Sequence, residues 1–186
     1  MNDPSSTASR RVALLRGINV GTAKRIAMAD LRALFEQLGF RDVRTRLNSG
    51  NVVYTSAGRN SADEPARIGK AIRERLGVPT EVFVLDGREL AHAIADNPLA
   101  SMAKEPSRML LMVASDRNAA GKLTPLLKER WAPEAIALRG RVAYLWCPLG
   151  ITKGRLWGAA LRALGQDGTA RNLATFTKLA GLVHGP

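Results

Sequence analysis

The sequence predicts an α+β fold made of two ferredoxin-like halves that pack together and carry mixed or antiparallel sheets. Three observations lead to this prediction. The apolar pattern of residues 12–85 changes between helical and strand spacing in the order β-α-β-β-α-β, which is the order of a ferredoxin-like unit. A short turn over residues 48–51 separates two of those strands, which must therefore be antiparallel. A similar pattern, β-α-β-β-α, begins again at residue 109.

The first half opens with a short apolar run at residues 12–15, which predicts a strand, and continues with a loop over residues 16–25. Apolar residues then recur at helical spacing until Gly39, which is expected to end the helix. Residues 43–47 alternate with arginines as a strand with one wet face would, and residues 52–55 return as the second strand of a hairpin.

A capping box is expected to open the second helix, with Ser61 and Glu64 each bonding the other's backbone N–H group. Residues 80–85 predict the last strand of this half, and a second capping box at Asp86 and Glu89 predicts a connecting helix. Five positions of this half are expected to be buried: Leu15, Leu31, Leu34, Val53 and Ile72.

In the second half, residues 109–113, 136–138 and 142–146 predict strands. The apolar residues Leu123, Leu126, Leu127 and Trp131 predict a helix between the first two. Two further helices follow, so this half is expected to end in a helix where the first half ends in a strand. The predicted division is a disordered tail over 1–10, a first half over 11–96, a linker over 97–107 and a second half over 108–186.

The net charge of +12 is concentrated at the two ends of the chain. Residues 1–60 hold ten basic and four acidic side chains, residues 61–136 hold eleven of each, and residues 137–186 hold seven basic and one acidic. This distribution favours an anionic partner, which is a phosphate-bearing small molecule or a nucleic acid. The alternative is that an arginine-rich surface only keeps the protein soluble.

Several functional classes find no support in the sequence. The apolar runs are too short to span a membrane, and residues 1–11 lack the apolar core of a signal peptide. One cysteine, Cys147, cannot form an internal disulfide, which indicates a cytoplasmic protein, and we expect its thiol to be buried. His92 and His184 do not neighbour a candidate nucleophile, and metal-ligand spacing is absent. We therefore assign no catalytic residue, metal or cofactor.

Several stretches resemble one known family. Residues 13–21 (Ala-Leu-Leu-Arg-Gly-Ile-Asn-Val-Gly), 28–31, 38–45 and 49–53 (Ser-Gly-Asn-Val-Val) are similar to the motifs of a widespread bacterial family of uncharacterised proteins, a domain of unknown function. Residues 171–179 resemble the closing motif of that family. The resemblance implies a fold close to the one predicted above and no assigned activity.

The loop over residues 16–25 is the first candidate binding segment. Its backbone N–H groups, beside Arg16, Lys24 and Arg25, would cradle a phosphate. Its glycines match neither a Walker loop nor a dinucleotide fingerprint. The alternative is a glycine-enabled turn in which Asn19 bonds its own backbone. Both interpretations remain open.

The hairpin turn over residues 48–51 is the second candidate segment. A turn is its simplest interpretation. In the functional interpretation, Ser49 and Asn51 offer polar groups to a ligand that the first loop holds.

The basic C-terminal region is the third candidate segment. Thr169 or Asn172 is most simply the N-cap of the last helix. Arg171 beside that helix start also makes it a candidate anion site. Lys153 and Arg155, one helix earlier, would enlarge the site.

The leading hypothesis is a binding module for an anionic ligand at a basic face on which these three segments converge. The candidate anion-binding residues are Arg16, Asn19, Lys24, Arg25, Ser49, Asn51, Lys153, Arg155, Arg171 and Asn172. Two alternatives remain, an enzyme that acts on a phosphorylated or carboxylated small molecule, and a protein-interaction module. The sequence does not fix the oligomeric state.

Overall fold

The computed structural model describes residues 8–19, 25–57 and 62–185. Within these ranges, eight strands form two four-stranded sheets in which every pairing is antiparallel, and six α-helices accompany them. This architecture confirms the predicted α+β class with two ferredoxin-like units. The chain divides into Met1–Leu90 with Leu179–Pro186 as the first unit and Ala91–Lys178 as the second.

The first unit has the predicted β-α-β-β-α-β order. Its elements are β1 (Ser9–Leu15), α1 (Met28–Gln37), β2 (Arg41–Arg46), β3 (Asn51–Ser56), α2 (Glu64–Leu76) and β4 (Val82–Asp86). The strand order in the sheet is β2-β3-β1-β4, so β1 pairs with β3 on one side and β4 on the other. A further helix, α3 (Gly87–Ala95), follows β4.

Alternating side chains of this sheet build the core of the first unit. Ala13 and Leu15 of β1 lie in one buried cluster with Val52 and Tyr54 of β3 and with the apolar residues of α1 and α2. The predicted burial is confirmed at every position named for this half: Leu15, Leu31, Leu34, Val53 and Ile72.

The second unit repeats this topology. Its elements are β5 (Met109–Ala114), α4 (Arg117–Gly121), β6 (Ala135–Arg139), β7 (Val142–Trp146), α5 (Leu156–Leu164) and β8 (Gly168–Asn172). The strand order is β6-β7-β5-β8, which corresponds strand for strand to the order in the first sheet. The last helix, α6 (Leu173–His184), belongs to the second unit up to Lys178 and to the first unit from Leu179 onward.

Two elements of the second unit differ from the prediction. The expectation that this half lacks a closing strand is wrong, because β8 pairs with β5 along its whole length. The single helix predicted over Leu123–Trp131 is also wrong. The structure has the short α4, which ends at Gly121, and then a 3-10 helix over Thr124–Lys128. Pro125 near the start of that segment lacks a backbone N–H group, so it cannot continue an α-helix from α4.

The two predicted capping boxes have different outcomes. The box at the start of α3 is confirmed, because the Glu89 N–H donates to Asp86 Oδ1 at 2.8 Å and the Asp86 N–H donates to Glu89 Oε2 at 3.2 Å. The box predicted at the start of α2 stays a prediction. Ser61 lies outside the described residues, and the N-cap of this helix is Asp63, directly before Glu64.

The predicted tail is shorter than expected. Residues 1–7 lie outside the described part of the chain, but β1 begins at Ser9, so the prediction is wrong for Ser9 and Arg10. The Arg10 guanidinium donates to backbone carbonyls at the end of α6, those of Leu182, Val183 and Gly185. A cation at this place interacts favourably with the helix dipole. Deletion of residues 1–10 is therefore expected to destabilise the first unit.

Candidate anion-binding site

One end of the first sheet brings together two of the three candidate segments. At this end β1 finishes, β3 starts, and the chain passes from β1 to α1. The side-chain amide of Asn19, in the first loop, donates to the backbone carbonyl of Asn48, in the hairpin turn, at 2.7 Å. The first loop and the hairpin turn therefore lie directly against each other.

Asn19 uses the rest of its side chain within its own loop. Its amide nitrogen also donates to the Ile26 carbonyl at 3.1 Å, and its Oδ1 accepts from the Ile26 N–H at 2.8 Å. Its backbone is left-handed, with a φ of 55°, a conformation that asparagine tolerates better than most residues. Asn19 thus acts as a clamp, because its side chain joins the two ends of the first loop to each other and to the hairpin turn.

A cleft of about 500 Å³ lies beside this clamp. The described residues that line it come from the first loop, the start of α1 and the hairpin turn; they are Asn19, Arg25, Ile26, Ala27, Met28 and Asn48. Arg25 is exposed, and the next residue along the chain, Ile26, is buried. The N-cap of α1 is Ala27, whose side chain has no oxygen to accept from the N–H groups of the first turn.

The hairpin turn is tightly built. Gly50 has a φ of 76°, and a Cβ placed on it would come within 2.7 Å of Ile18 Cδ1 and 2.8 Å of Leu15 Cβ. Leu47 is also left-handed, with a φ of 59°, and half of its surface is exposed. Only glycine fits at residue 50 without displacing its neighbours, so the turn geometry is fixed by packing as well as by hydrogen bonds.

Asn51 is fully buried at the start of β3. Its amide nitrogen donates to the Arg46 carbonyl at 3.0 Å and to Ser49 Oγ at 3.0 Å. These bonds close the turn between β2 and β3. Ser49 and Asn51 therefore shape the hairpin that carries Asn48, and neither is among the described residues that line the cleft.

The backbone of Arg16 is hydrogen-bonded to the residues that directly precede β4. Its backbone N–H donates to the Glu81 carbonyl at 2.9 Å, and its carbonyl accepts from Thr80 Oγ1 at 2.8 Å. Lys24, the other basic candidate of this loop, lies outside the described residues.

The candidates in the second unit surround a helix start that is already occupied. Glu134 Oε2 accepts from the N–H groups of Arg155 and Leu156 at 2.9 and 3.1 Å. The carboxylate is almost completely buried, and Gly154 leaves room for it, since a Cβ there would lie 2.1 Å from Glu134 Oε1. The start of α5 thus has an internal anion, while the side chains of Lys153 and Arg155 remain exposed.

Asn172 caps the start of α6. Its Oδ1 accepts from the Thr175 N–H at 2.9 Å and from Thr175 Oγ1 at 2.7 Å. Arg171 next to it donates to Thr169 Oγ1 at 3.1 Å and to the Ala170 carbonyl at 2.8 Å. Burial lowers the pKa of Arg171 to about 10, so the side chain is still cationic at neutral pH.

The candidate residues divide between the two units. Arg16, Asn19, Arg25, Ser49 and Asn51 belong to the first unit. The others belong to the second unit: Lys153, Arg155, Arg171 and Asn172. Convergence of all three segments on one face stays a prediction.

Residues with catalytic chemistry are few in the described ranges. Cys147 is buried as predicted, and burial together with the neighbouring Glu134 carboxylate raises the pKa of its thiol to about 12, so it is not a thiolate at neutral pH. His92 is exposed and lies 3.0 Å from Asp96. Across the described residues, no group of His, Cys, Asp and Glu side chains is arranged to hold a metal ion. No helix there is long and apolar enough to cross a membrane.

Sequence reasoning missed four of the lining residues: Ile26, Ala27, Met28 and Asn48. A signal was available for Asn48, because asparagine in a four-residue turn beside Ser49 and Asn51 was already part of a candidate segment. No signal marked Met28, which has the spacing of an ordinary helix residue.

The fold and the cleft define a class of protein with two ferredoxin-like units, the first of which carries a small-molecule-sized cleft at the start of α1. The chain belongs to the family described as "Protein of unknown function (DUF1697)", whose model matches residues 8–144. The C-terminal residues that resemble a closing motif lie beyond this match. No curated protein matches the chain.

A solved structure supports the same architecture. The chain is similar to the conserved bacterial protein SP0830 from Streptococcus pneumoniae, with 20% sequence identity and a TM-score of 0.75. The likeness covers 95% of this chain and 99% of that one. At this identity the comparison shows a shared fold.

Proposed function

We propose that this protein is a binding module for a phosphate-bearing ligand, which occupies the cleft at the start of α1. The observation that carries the proposal is the coincidence of a cationic side chain, Arg25, and a helix N-terminus in the wall of one cleft. The volume of about 500 Å³ is within the range of small-molecule sites.

Both features favour an anion for separate physical reasons. A guanidinium group donates two parallel hydrogen bonds to a phosphate and keeps its charge at any working pH. The N-terminus of a helix carries about half a positive charge and presents backbone N–H groups. The guanidinium group and the helix N-terminus would together offset the free-energy cost of removing a phosphate from water.

The start of α5 supports this interpretation by contrast. There the protein supplies its own anion, the buried Glu134 carboxylate, to the first N–H groups of the helix. At α6 the Asn172 side chain has the same role. At α1 the cap is Ala27, which has no side-chain oxygen. An external phosphate at α1 would do what Glu134 does at α5.

A phosphate titration of the full chain tests the proposal. Calorimetry with ribose 5-phosphate is expected to detect binding that weakens at least about tenfold in Arg25→Gln, since charge-assisted bonds to phosphate contribute roughly 1.5–3 kcal/mol. Arg32→Gln removes the same charge from an exposed position on α1, where the partner is Glu36, and should change the affinity less than about twofold. Absence of binding by phosphate-bearing compounds would refute the proposal.

We also propose that the protein is cytoplasmic. The single cysteine is a free, buried thiol, which a reducing compartment preserves.

A further inference from the structure

We propose that the ligand of this cleft is a nucleotide, with its phosphate at Arg25 and its base against Asn48 and Met28. The inference rests on the proposed phosphate site and names the chemical class that the remainder of the cleft would recognise.

Asn48 lines the cleft with an exposed side chain. Its side-chain amide makes no hydrogen bond to any residue in the described ranges. In contrast, the amide of Asn19 donates to the Asn48 carbonyl, and the amide of Asn51 donates to the Arg46 carbonyl. A primary amide presents a donor and an acceptor side by side, which is the pattern that pairs with the edge of a nucleobase.

The backbone of Asn48 is held in place before any ligand arrives. Its carbonyl accepts from Asn19 at 2.7 Å, and the residues around it are fixed by the left-handed Leu47 and by Gly50, which fits only without a side chain. A fixed backbone lowers the entropy that is lost when the side chain engages a ligand. The amide is therefore presented by a rigid hairpin.

Half of the described lining residues of the cleft are apolar. Ile26, Ala27 and Met28 follow Arg25 along the chain and line the same space. Met28 is partly buried against the core, so its thioether is supported from behind. Sulfur beside an aromatic ring is a favourable contact, and apolar side chains together with an amide suit a flat, partly polar ring.

The combination discriminates between classes of phosphate-bearing ligand. A sugar phosphate has many hydroxyl groups, each of which would need a polar partner, whereas half of the described lining residues are apolar. A nucleotide has its charge at one end and a planar ring at the other, and the lining offers a cationic side chain, Arg25, together with an amide, Asn48, and apolar side chains.

Calorimetry on the full chain at fixed salt distinguishes these classes, with AMP, GMP and ribose 5-phosphate as the probes. We expect at least one of the two nucleotides to bind about tenfold or more tightly than ribose 5-phosphate, which is the discrimination that a good amide–base pair provides. Asn48→Ala should reduce that ratio to below about threefold, because it removes the amide that would pair with the base. Asn118→Ala, an exposed asparagine on α4, is the matched control and should leave the ratio unaltered.

A second variant protects the test against misfolding. Met28→Ala shortens an apolar side chain of the lining and keeps the backbone N–H group at the start of α1, so it should lower the affinity for the nucleotides several-fold more than the affinity for ribose 5-phosphate. Equal affinity for the nucleotides and ribose 5-phosphate in the unmodified protein would overturn the nucleotide inference and leave the phosphate site intact. Failure of all three probes to bind would overturn both.

A salt titration then separates a free nucleotide from a nucleic-acid strand as the source of that chemistry. For single-stranded oligonucleotides, the logarithm of the affinity falls with the logarithm of salt concentration by about 0.7 per phosphate contacted. If the salt slope corresponds to about one phosphate contact for both AMP and a ten-nucleotide oligomer, the cleft binds single nucleotides. If the slope is steeper for the oligomer than for AMP, the cleft binds a strand. In either case the nucleotide preference must be lost in Asn48→Ala.

Discussion

Asn19 shows at the scale of a single residue how the two ends of a loop are joined to each other and to a neighbouring turn. Its three side-chain hydrogen bonds join the first loop to itself and to the hairpin turn, and its backbone has a φ of 55°. The sequence predicted that Asn19 belonged to the site region, and left open whether it bound a ligand or its own backbone. The structure shows bonds to Ile26 of its own loop and to the Asn48 carbonyl, whose position depends on the folded sheet.

Replacing Asn19 tests the clamp. Asn19→Ala removes the three hydrogen bonds and puts alanine, which tolerates left-handed backbone less well than asparagine, at this position, so we expect a loss of about 2–4 kcal/mol in the free energy of unfolding. Asn19→Gly loses the same bonds but relaxes the backbone, and it should recover roughly 1 kcal/mol of that loss. Urea denaturation of the three proteins measures both differences. Equal stability of the alanine and glycine variants would contradict the argument from backbone strain.

A buried ion pair in the first unit is the second feature at this scale. Arg11 and Glu64 are 1% and 5% exposed, and their side chains meet at 2.6 Å. The Glu64 carboxylate also accepts from the Tyr54 hydroxyl at 2.6 Å and from Ser56 Oγ at 3.1 Å. This network ties the start of α2 to β1 and β3.

Breaking the pair on one side should cost more than neutralising both sides. Glu64→Gln leaves the Arg11 charge buried without a counter-charge, for which we expect a loss of about 3–5 kcal/mol. The double variant Arg11→Met with Glu64→Gln keeps an amide for Tyr54 and Ser56 and removes both charges, so it should regain most of that loss. The measurement is the urea midpoint with an unchanged slope. A double variant as unstable as the single one would refute this account.

At the scale of elements, the sequence predicted strands and helices well where the apolar period was strong. The first unit was predicted element by element, because β1, β3 and α2 carry dense apolar positions. β8 was missed because Ala170 is its one apolar side chain, and backbone bonds to β5 hold it in the sheet. Pairing with a distant strand leaves no local pattern to detect.

Two glycines in helix and strand positions give opposite predictions. A Cβ on Gly168 of β8 would lie 2.1 Å from Leu164 Cδ2 and 2.9 Å from the Val113 carbonyl, so Gly168→Ala should destabilise by roughly 1–3 kcal/mol. Gly181 is exposed within α6, and a Cβ there meets nothing within 4 Å, so Gly181→Ala should stabilise by about 0.5–1 kcal/mol. Thermal melts of both variants, compared with the unmodified protein, decide the signs. A neutral Gly168→Ala would mean that Leu164 moves aside at no cost.

At the scale of the whole molecule, the charge pattern located the candidate segments but could not rank their residues. Both ends of the chain are basic, and both contain helix starts. The sequence could not show that a buried Glu134, far away along the chain, fills the start of α5, nor that Met28 and Asn48 share a cleft. These facts depend on tertiary placement, so the prediction included Asn19 and Arg25 of the described cleft lining and not the other lining residues.

Buried tyrosine and cysteine side chains determine how the stability of the whole molecule responds to alkaline pH. Burial raises the pKa of Tyr144 to about 12, with Asp96 adding to the effect, and raises the pKa of Cys147 to about 12. Burial and the Glu64 carboxylate also hold the pKa of Tyr54 well above its usual range. Each group keeps its proton in the native state after the unfolded chain has lost it. Stability is therefore full below the unfolded pKa of each group and falls as pH rises above it.

The loss of stability is predicted to begin near pH 8.5 for the thiol and near pH 10 for the tyrosines. Above that pH, each group lowers the free energy of unfolding by about 1.4 kcal/mol per pH unit until its native-state pKa is reached. Between pH 8 and 10.5 the unmodified protein should lose roughly 2.5 kcal/mol more than Cys147→Ala and about 1 kcal/mol more than Tyr144→Phe. Urea unfolding at both pH values gives these differences, and comparing each variant with the parent cancels the contributions of all other groups. The chain has two tyrosines, so ultraviolet absorbance of tyrosinate offers an independent check. Native protein that forms tyrosinate near pH 10, as a free tyrosine does, would show that neither ring is protected by the fold.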